Sequence, residues 1–127
     1  MAELGDALFD ALATIVTIGG PGAPRLYRNR LPQPYTLPAI TMTRIDTVFE
    51  YAHDGDSTLV HPRWQISCWA ATNAAAELLA VGAQTTLDAW AHAQLEAVLP
   101  QNKYDLTDEE TDIHQVALDV IIWWQIA

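Results

Sequence analysis

The strongest constraint on the fold is a change, in the middle of the chain, in the spacing at which apolar residues recur. From Arg63 onward, apolar and more polar residues alternate, as in a strand with one buried face. The predicted inward set is Trp64, Ile66, Cys68 and Ala70, and the outward set is Arg63, Gln65, Ser67 and Trp69. Thr72 or Asn73 then provides a cap for a helix whose body, AAAELLAVGAQTTL, is rich in strong helix formers. The sequence therefore predicts a strand that leads directly into a helix.

The single cysteine of the chain, Cys68, falls in the middle of this strand on its apolar face. A free cysteine in such a position is typically a small core hydrophobe. A catalytic thiol needs a base beside it, and no spacing in the sequence places one there, since His61 only precedes the strand. We therefore predict a structural role for Cys68. One cysteine also excludes an internal disulfide and a cysteine-rich zinc site.

The first part of the chain predicts a helix and then a long loop. Residues 2–15 carry an apolar stripe at helical spacing, made of Leu4, Leu8, Leu12 and Ile15. Residues 17–38 lose all periodicity and contain three glycines and five prolines, with a short extended piece at Arg25–Tyr27. Loops of this length in a compact domain are often functional. This one holds half of the basic residues of the chain, Arg25, Arg28 and Arg30.

Further strands are predicted on either side of the central helix. Residues 40–45 and 47–53 alternate with period two, and the polar turn DGDS at 54–57 separates them from the strand at Arg63. Residues 92–100 also favour a strand, with a continued helix as the competing interpretation. Residues 101–112 are typical of a solvated turn or hairpin tip.

The last segment, residues 114–125, shows the clearest alternation. Its predicted inward face is Val116, Leu118, Val120, Ile122 and Trp124, and its outward face is Gln115, Ala117, Asp119, Ile121 and Trp123. Together these elements predict an α+β fold. A mainly antiparallel β-sheet packs with an N-terminal helix and a central helix, in a single domain over residues 1–127.

Composition narrows the classes of function. The net charge is −10, from six Lys and Arg against sixteen Asp and Glu, so the chain lacks the basic footprint of a free nucleic-acid binder. This negative charge either keeps the protein soluble or forms a surface that lies beside DNA without binding it.

No apolar run reaches the ~18 residues that span a bilayer. The acidic N-terminus does not fit a signal peptide, and we expect folding in a reducing cytoplasm. Nucleotide, esterase and metalloprotease motifs are absent, and we predict no cofactor.

Two polar clusters have both a functional and a structural interpretation. His53, Asp54, Asp56 and His61 are residue types that ligate a divalent metal, but a turn between strands requires the same polar residues without any metal. We favour the turn and predict no metal site. The acidic cluster is Asp105, Asp108, Glu109, Glu110 and Asp112, which offers paired carboxylates or, more commonly, a solvated surface.

Large apolar residues also occur on strand faces that are otherwise more polar. Trp69 lies on the outward face of the first strand described above, and Ile121 and Trp123 lie on that of the last strand. If the two strands are neighbours, these side chains share one sheet face. Either a helix of the same chain covers them or they form a subunit interface, because exposed aromatic patches usually mark contacts.

Five segments of the chain carry a resemblance to a known family: Arg25–Tyr27, Leu37–Pro38, Asp54–Gly55, Trp64–Ala70 with the helix at Ala74–Leu87, and Tyr104 through Trp123. In this order they resemble the tail completion, or tail terminator, family of tailed bacteriophages. The QISCWA core with its following helix is the most specific of them. The GGPGAP insertion and the doubled Trp123–Trp124 depart from the family pattern.

The resemblance implies a structural virion protein without catalysis. Such proteins form a ring, generally a hexamer, on the head-proximal end of the tail tube, where they stop tube polymerisation and join the tail to neck or connector proteins of the head. DNA passes through the lumen without specific binding. A gene transfer agent particle needs the same part. The implied location is the virion, at the head–tail interface, after assembly in the host cytoplasm.

Within this interpretation, interface candidates are Trp69, Ile121, Trp123, Arg25, Arg28 and Arg30. The acidic cluster at 105–112 then faces the lumen or a neighbouring subunit. Two alternatives remain. One is a head-side neck or connector protein, and the other is a small metal-binding enzyme centred on His53, Asp54, Asp56 and His61.

Overall fold

A computed structural model describes residues 3–20, 22, 24–47, 49–52, 55–108 and 113–125. In this part of the chain, the helices are α1 (Leu4–Leu12) and α2 (Asn73–Asp88), with a short 3-10 turn at Val16–Ile18. The strands are β1 (Leu26–Arg28), β2 (Ala39–Asp46), β3 (Phe49–Ala52), β4 (Gly55–Val60), β5 (Arg63–Ala70), β6 (Leu95–Asp108) and β7 (Ile113–Gln125). The predicted α+β class is confirmed. No helix in these ranges is long and apolar enough to cross a membrane.

The seven strands form one sheet that is organised around β7. The order is β1-β2-β5-β7-β4-β3, and β6 pairs with β7 as well. β5 lies opposite His114–Ile121, and β4 meets the end of β7 at Trp124 and Gln125. Only the β1–β2 pair is parallel among the described pairings, so the sheet is mainly antiparallel, as predicted.

Both helices pack on the same face of the sheet. α1 buries Leu4, Leu8 and Leu12, and α2 buries Ala76, Leu79, Ala80, Ala83 and Leu87. Beneath them lie the predicted inward residues of β5 and β7, including the fully buried Ile66, Cys68 and Ile122. Each large aliphatic side chain removed from water here contributes about 1.5–3 kcal/mol, so this layer is the main source of stability.

The start of α2 follows from local chemistry. Thr72 has an extended backbone, and its Oγ1 accepts a hydrogen bond from the Ala75 amide at 3.1 Å. This bond satisfies one of the amides that the first turn of a helix leaves without a partner. Of the two predicted caps, the structure selects Thr72. Only two residues therefore separate the end of β5 from the start of the helix.

The structure corrects the prediction of a turn at residues 55–57. The turn was predicted at DGDS, whereas Gly55–Val60 form strand β4, paired with β3 from Ala52↔Gly55 onward. Glycine, aspartate and serine have low strand propensity, so composition favoured a turn here. Cross-strand pairing overrides that propensity. The residues between the two strands, 53–54, lie outside the described part of the chain.

Strand β6 is confirmed at Leu95–Pro100 but is longer than predicted. It continues to Asp108, through residues predicted as a solvated turn, because β7 supplies backbone partners along this whole length. Irregularities at Leu95/Ala97 and Pro100/Asn102 also break the predicted alternation. As a result Val98 packs against the core, while Leu99 is 46% exposed.

The Gly/Pro-rich loop contains one strand. The extended piece predicted at Arg25–Tyr27 is β1, shifted by one residue and paired with Ile40, Thr41 and Met42 of β2. Gly22, with φ +106°, occupies a backbone conformation that side chains with a Cβ rarely adopt. The glycines therefore allow the chain to reverse between α1 and β1.

Candidate assembly interface

The sheet face opposite the helices, here called the open sheet face, carries three of the six predicted interface residues, Trp69, Ile121 and Trp123. Neither helix packs on it, because the residues of β5 and β7 that contact the helices are their alternate neighbours. Its members are Thr41, Gln65, Ser67, Trp69, Gln115, Ala117, Asp119, Ile121 and Trp123, with Leu99, Tyr104 and Leu106 of β6. The first alternative, a helix of the same chain over the tryptophans, is therefore not found among the described residues.

The three large apolar residues predicted for this surface fall into two groups. β5 and β7 are neighbours, as the prediction required. Trp69 lies opposite Gln115, however, and Ile121 lies six residues further along β7, about 20 Å away at the rise of a strand. Ile121 and Trp123 are next to one another at one end of the face, and Trp69 stands at the other end.

Side-chain hydrogen bonds hold the open sheet face in one arrangement. The Trp69 indole donates to Thr41 Oγ1 at 3.0 Å, and Gln115 Nε2 donates to Ser67 Oγ at 2.7 Å. The Gln65 amide donates to the Tyr104 hydroxyl, which ties β5 to β6 across β7. The surface is therefore ordered in the free subunit, which lowers the entropic cost of binding a partner.

Two of the three candidate arginines are engaged within the subunit. Arg25 donates from Nε to the Pro38 carbonyl at 2.8 Å and from Nη2 to the Thr17 carbonyl at 2.9 Å. It therefore connects the two ends of the Gly/Pro-rich loop. Arg28 lies over the Trp64 ring, 5.7 Å from the ring centroid, and has Nη1 3.9 Å from Asp6 Oδ1.

Arg30 differs from the other two arginines because its side chain is exposed and points to an open groove of about 870 Å³. The groove is lined by Asn29, Arg30, Leu31, Pro32, Gln33, Tyr35, Trp69 and Ile113. Within the described residues, Arg30 forms no ion pair. It therefore remains the one of the three whose charge is free for a partner.

The structure describes only some residues of the two polar clusters that the sequence analysis identified. Asp105 is exposed on β6, and Asp108 ends that strand, whereas Glu109, Glu110 and Asp112 lie outside the described residues. His53 and Asp54 also lie outside them, as does the side chain of Asp56. His61 stacks on Trp123, with ring centroids 4.1 Å apart. Across the described ranges, no group of three or more His, Cys, Asp or Glu has the geometry to hold a metal ion.

Cys68 is fully buried between Ile66 and Ala70, as predicted for a core residue. Burial raises the pKa of the thiol from 9.0 to about 12; the negative charge of Glu77 adds to this rise and Lys103 opposes it. The thiolate is the nucleophilic form of cysteine, so this side chain is unsuited to nucleophilic catalysis near neutral pH.

A surface that the sequence reasoning missed is the outer side of α2. Leu78 is 73% exposed and Val81 is 46% exposed, on the side of the helix away from the core. The signal was present in the composition of α2. Glu77 and Asp88 are the charged residues of this 16-residue helix, and a helix that is apolar all round is normally buried on all sides.

Comparisons with known proteins give one family match and one structural match. A family model described as "Tail completion protein gp17" matches residues 6–125. A solved structure titled "Virion of native gene transfer agent (GTA) particle" contains a chain with a TM-score of 0.75 and 16% identity. The alignment covers 96% of this chain and 94% of that one. At 16% identity, this similarity shows only that the two chains share a fold. A comparison with curated proteins finds no match.

Proposed function

The chain belongs to the tail completion protein gp17 family, and from this membership we propose that it forms a ring on the head-proximal end of the tail tube. In this role it stops tube polymerisation and joins the tail to the neck proteins of the head. The family makes the protein a structural component of the virion tail. The match over residues 6–125 is the observation that carries the proposal, because it extends from within α1 to the end of β7.

A closed ring, for which we propose six copies, requires two different and complementary surfaces on each subunit. The subunit has two such surfaces, since the outer side of α2 and the open sheet face lie on opposite sides of the sheet. A single self-complementary patch would give a two-fold dimer instead. The arrangement of apolar surface therefore favours a ring.

The net charge of −10 fits a lumen through which DNA passes. An acidic wall repels phosphate, so DNA slides without being bound. Asp105 and the acidic residues that follow it are our candidates for this wall or for a contact with a neighbouring subunit. Arg30 in its groove is the candidate contact for an acidic segment of the tube protein, because its charge has no ion-pair partner among the described residues.

No step of this role requires bond chemistry or a cofactor. The buried, protonated thiol of Cys68 supports a structural interpretation. We propose that the protein acts only through its contacts with further copies of itself, the tube and the neck proteins.

Electron microscopy of particles from the parent phage or prophage with this gene deleted tests the proposal. We expect overlong or unjoined tails beside filled, tailless heads, and joined particles once the wild-type gene is restored. Intact heads without any tails would indicate an earlier role in tail assembly. Normal infectious particles would overturn the proposal.

A further inference from the structure

We propose that two copies of the free protein pair through the outer edge of β6, the side of this strand that faces away from β7. The two strands run antiparallel and are related by a two-fold axis at Tyr104. The inference identifies a strand edge as an interaction surface and a second copy of this chain as its partner. It does not rest on the ring proposed above, whose contacts are head-to-tail.

The outer edge of β6 is open. Among the described residues, β6 pairs only with β7. After the irregularity at Pro100/Asn102, the register with β7 is regular from Asn102 to Asp108. Along this stretch, every second residue directs its amide and carbonyl away from β7. The other end strands, β1 and β3, are only three and four residues long. A long open edge is a template for pairing with a strand of another chain.

Beside this edge, β6 is exposed on both of its faces. Each residue from Gln101 to Leu106 is exposed, although successive residues of a strand point to opposite sides of the sheet. The helices therefore do not cover this part of the strand. Tyr104 and Leu106 are among the exposed large hydrophobic residues of the described chain. A partner strand at this edge thus removes apolar surface from water as well as pairing backbone groups.

A two-fold contact restricts the register of the two strands. An axis perpendicular to the sheet places residues of the same face opposite one another. The axis must therefore pass through a residue rather than between two residues. Near the middle of the exposed stretch, this leaves axes at Lys103, Tyr104, Asp105 or Leu106.

Charge selects among these registers. An axis at Tyr104 places Lys103 of each copy opposite Asp105 of the other, so two pairs of opposite charge form on the helical side of the sheet. An axis at Lys103 or at Asp105 places two like charges directly opposite one another, which is destabilising. An axis at Leu106 leaves Lys103 opposite a position beyond Asp108, where β6 ends.

Lys103 takes part in these pairs while it keeps its contact within the subunit. Its Nζ lies 2.6 Å from Glu77 Oε1, and its side chain is 35% exposed. An ammonium group has three donor hydrogens, so it binds a second carboxylate as well. Asp105 forms no ion pair within the described residues. The net charge of −10 opposes association of two copies, and these two pairs offset it at the contact.

The same register is favourable on the open sheet face. It places the two Tyr104 side chains opposite each other at the axis, and Leu106 of each copy opposite Asn102 of the other. Aromatic pairs across strands stabilise a sheet. Because the contact uses the same edge in both copies, association stops at two. The dimer thereby protects the open edge of the free protein from pairing with other strands.

Charge reversal at Asp105 tests the register. Asp105→Lys places a lysine opposite Lys103 of the other copy in both halves of the contact. Asp10→Lys is the matched control, since Asp10 is an exposed acid on α1 and the change in net charge is the same. Both substitutions reduce the negative charge, which by itself favours association. We expect a dimer for wild type and the control, and a dimer at least about tenfold weaker for Asp105→Lys. Analytical ultracentrifugation at a series of concentrations measures the dissociation constants.

Disulfide formation at the axis tests the geometry. Tyr104→Cys brings the two new cysteines to a cross-strand Cα–Cα distance of about 4.5–5.5 Å, within the range of a disulfide. Leu99→Cys is the matched control. Leu99 is exposed on the same face of β6, but the proposed register separates its two copies by about 30 Å. The native Cys68 is buried in both variants. Mild oxidation should convert most of the Tyr104→Cys protein to a covalent dimer and leave Leu99→Cys monomeric on a non-reducing gel.

Three results would overturn the inference. The first is a wild-type protein that stays monomeric at every concentration while the two cysteine variants cross-link equally. The second is a dimer of undiminished strength for Asp105→Lys, which would reject the register. The third is a larger oligomer that neither substitution affects. These results do not bear on the joining of tails to heads, which the gene deletion tests separately.

Discussion

Trp69 reaches across the boundary between β5 and β2, where its indole donates a hydrogen bond to the hydroxyl of Thr41 at 3.0 Å. Thr41 is only 3% exposed, whereas the Trp69 ring is half-buried at the edge of the Arg30 groove. The bond therefore orients a large aromatic side chain that remains accessible on one side. An indole fixed in this way contributes contact area to a partner at little further cost in entropy.

Thr41→Val should destabilise the subunit by about 1 kcal/mol, because it keeps the shape of the side chain but removes the acceptor for the indole. Urea unfolding at equilibrium measures this difference. Thr43→Val is the matched control, since Thr43 lies on the same face two residues further along β2 and its hydroxyl makes only a 3.5 Å contact, to the Asn29 carbonyl. Equal free energies of unfolding for the Thr41 variant and wild type would show that the bond is unimportant.

The alternation of apolar and polar residues was sufficient to predict a strand and its orientation where one face of the strand is buried. In β5 and β7 it identified every inward residue correctly, the first being Trp64 and the last Trp124, because burial of one face enforces a period of two. It was insufficient for β4 and for the end of β6, where the residues are mostly polar and pairing with another strand decides the structure. Such pairings join distant parts of the chain, so local composition does not contain them.

The sequence predicted which sheet face carries the candidate interface residues, but not how far apart these residues lie on it. Period two placed Trp69, Ile121 and Trp123 on the same sheet face, and the pairing of β5 with β7 bears this out. The register between these strands, which separates Trp69 from Ile121, cannot be read from either strand alone. The exposed Leu78 was missed for another reason, since helix propensity predicts that a helix forms but not which side remains uncovered.

Thr72→Ala should lower the free energy of unfolding by about 1 kcal/mol, because it leaves an amide in the first turn of α2 without its side-chain partner. Thr72→Ser is the control and should retain most of the stability, as serine is an equally good cap. Thermal and urea unfolding both report the change. A Thr72→Ala protein as stable as the serine variant would mean that solvent replaces the cap at no cost.

Lys103→Ala should have a small effect on stability, although Lys103 Nζ lies 2.6 Å from Glu77 Oε1 and connects β6 to α2. Both side chains are more than one-third exposed, and ion pairs of this kind contribute about 0–1 kcal/mol. The difference from wild type should shrink further as salt is raised. Urea unfolding at low and high salt measures it. A loss of several kcal/mol that is independent of salt would contradict this expectation.

Cys68 should make the stability of the subunit depend on pH in the alkaline range. Its pKa is about 12 in the folded protein and 9.0 when exposed, because burial disfavours the thiolate. Between these values the unfolded chain releases the proton and the folded chain keeps it. The unfolded state then binds fewer protons, so the free energy of unfolding falls as pH rises. The contribution is fully present below pH 9 and is lost progressively toward pH 12.

Comparison with Cys68→Ala isolates this effect, since every other titrating group is shared by the two proteins. The alanine variant should be less stable at neutral pH, because a smaller side chain leaves a cavity in the core. From pH 9 upward, the difference between the two should shrink at up to about 1.4 kcal/mol per pH unit. Urea unfolding at a series of pH values, with thiol labelling in parallel, provides both readouts. Parallel pH profiles, or rapid labelling of the native protein at neutral pH, would show that the thiol is accessible to solvent in the folded state.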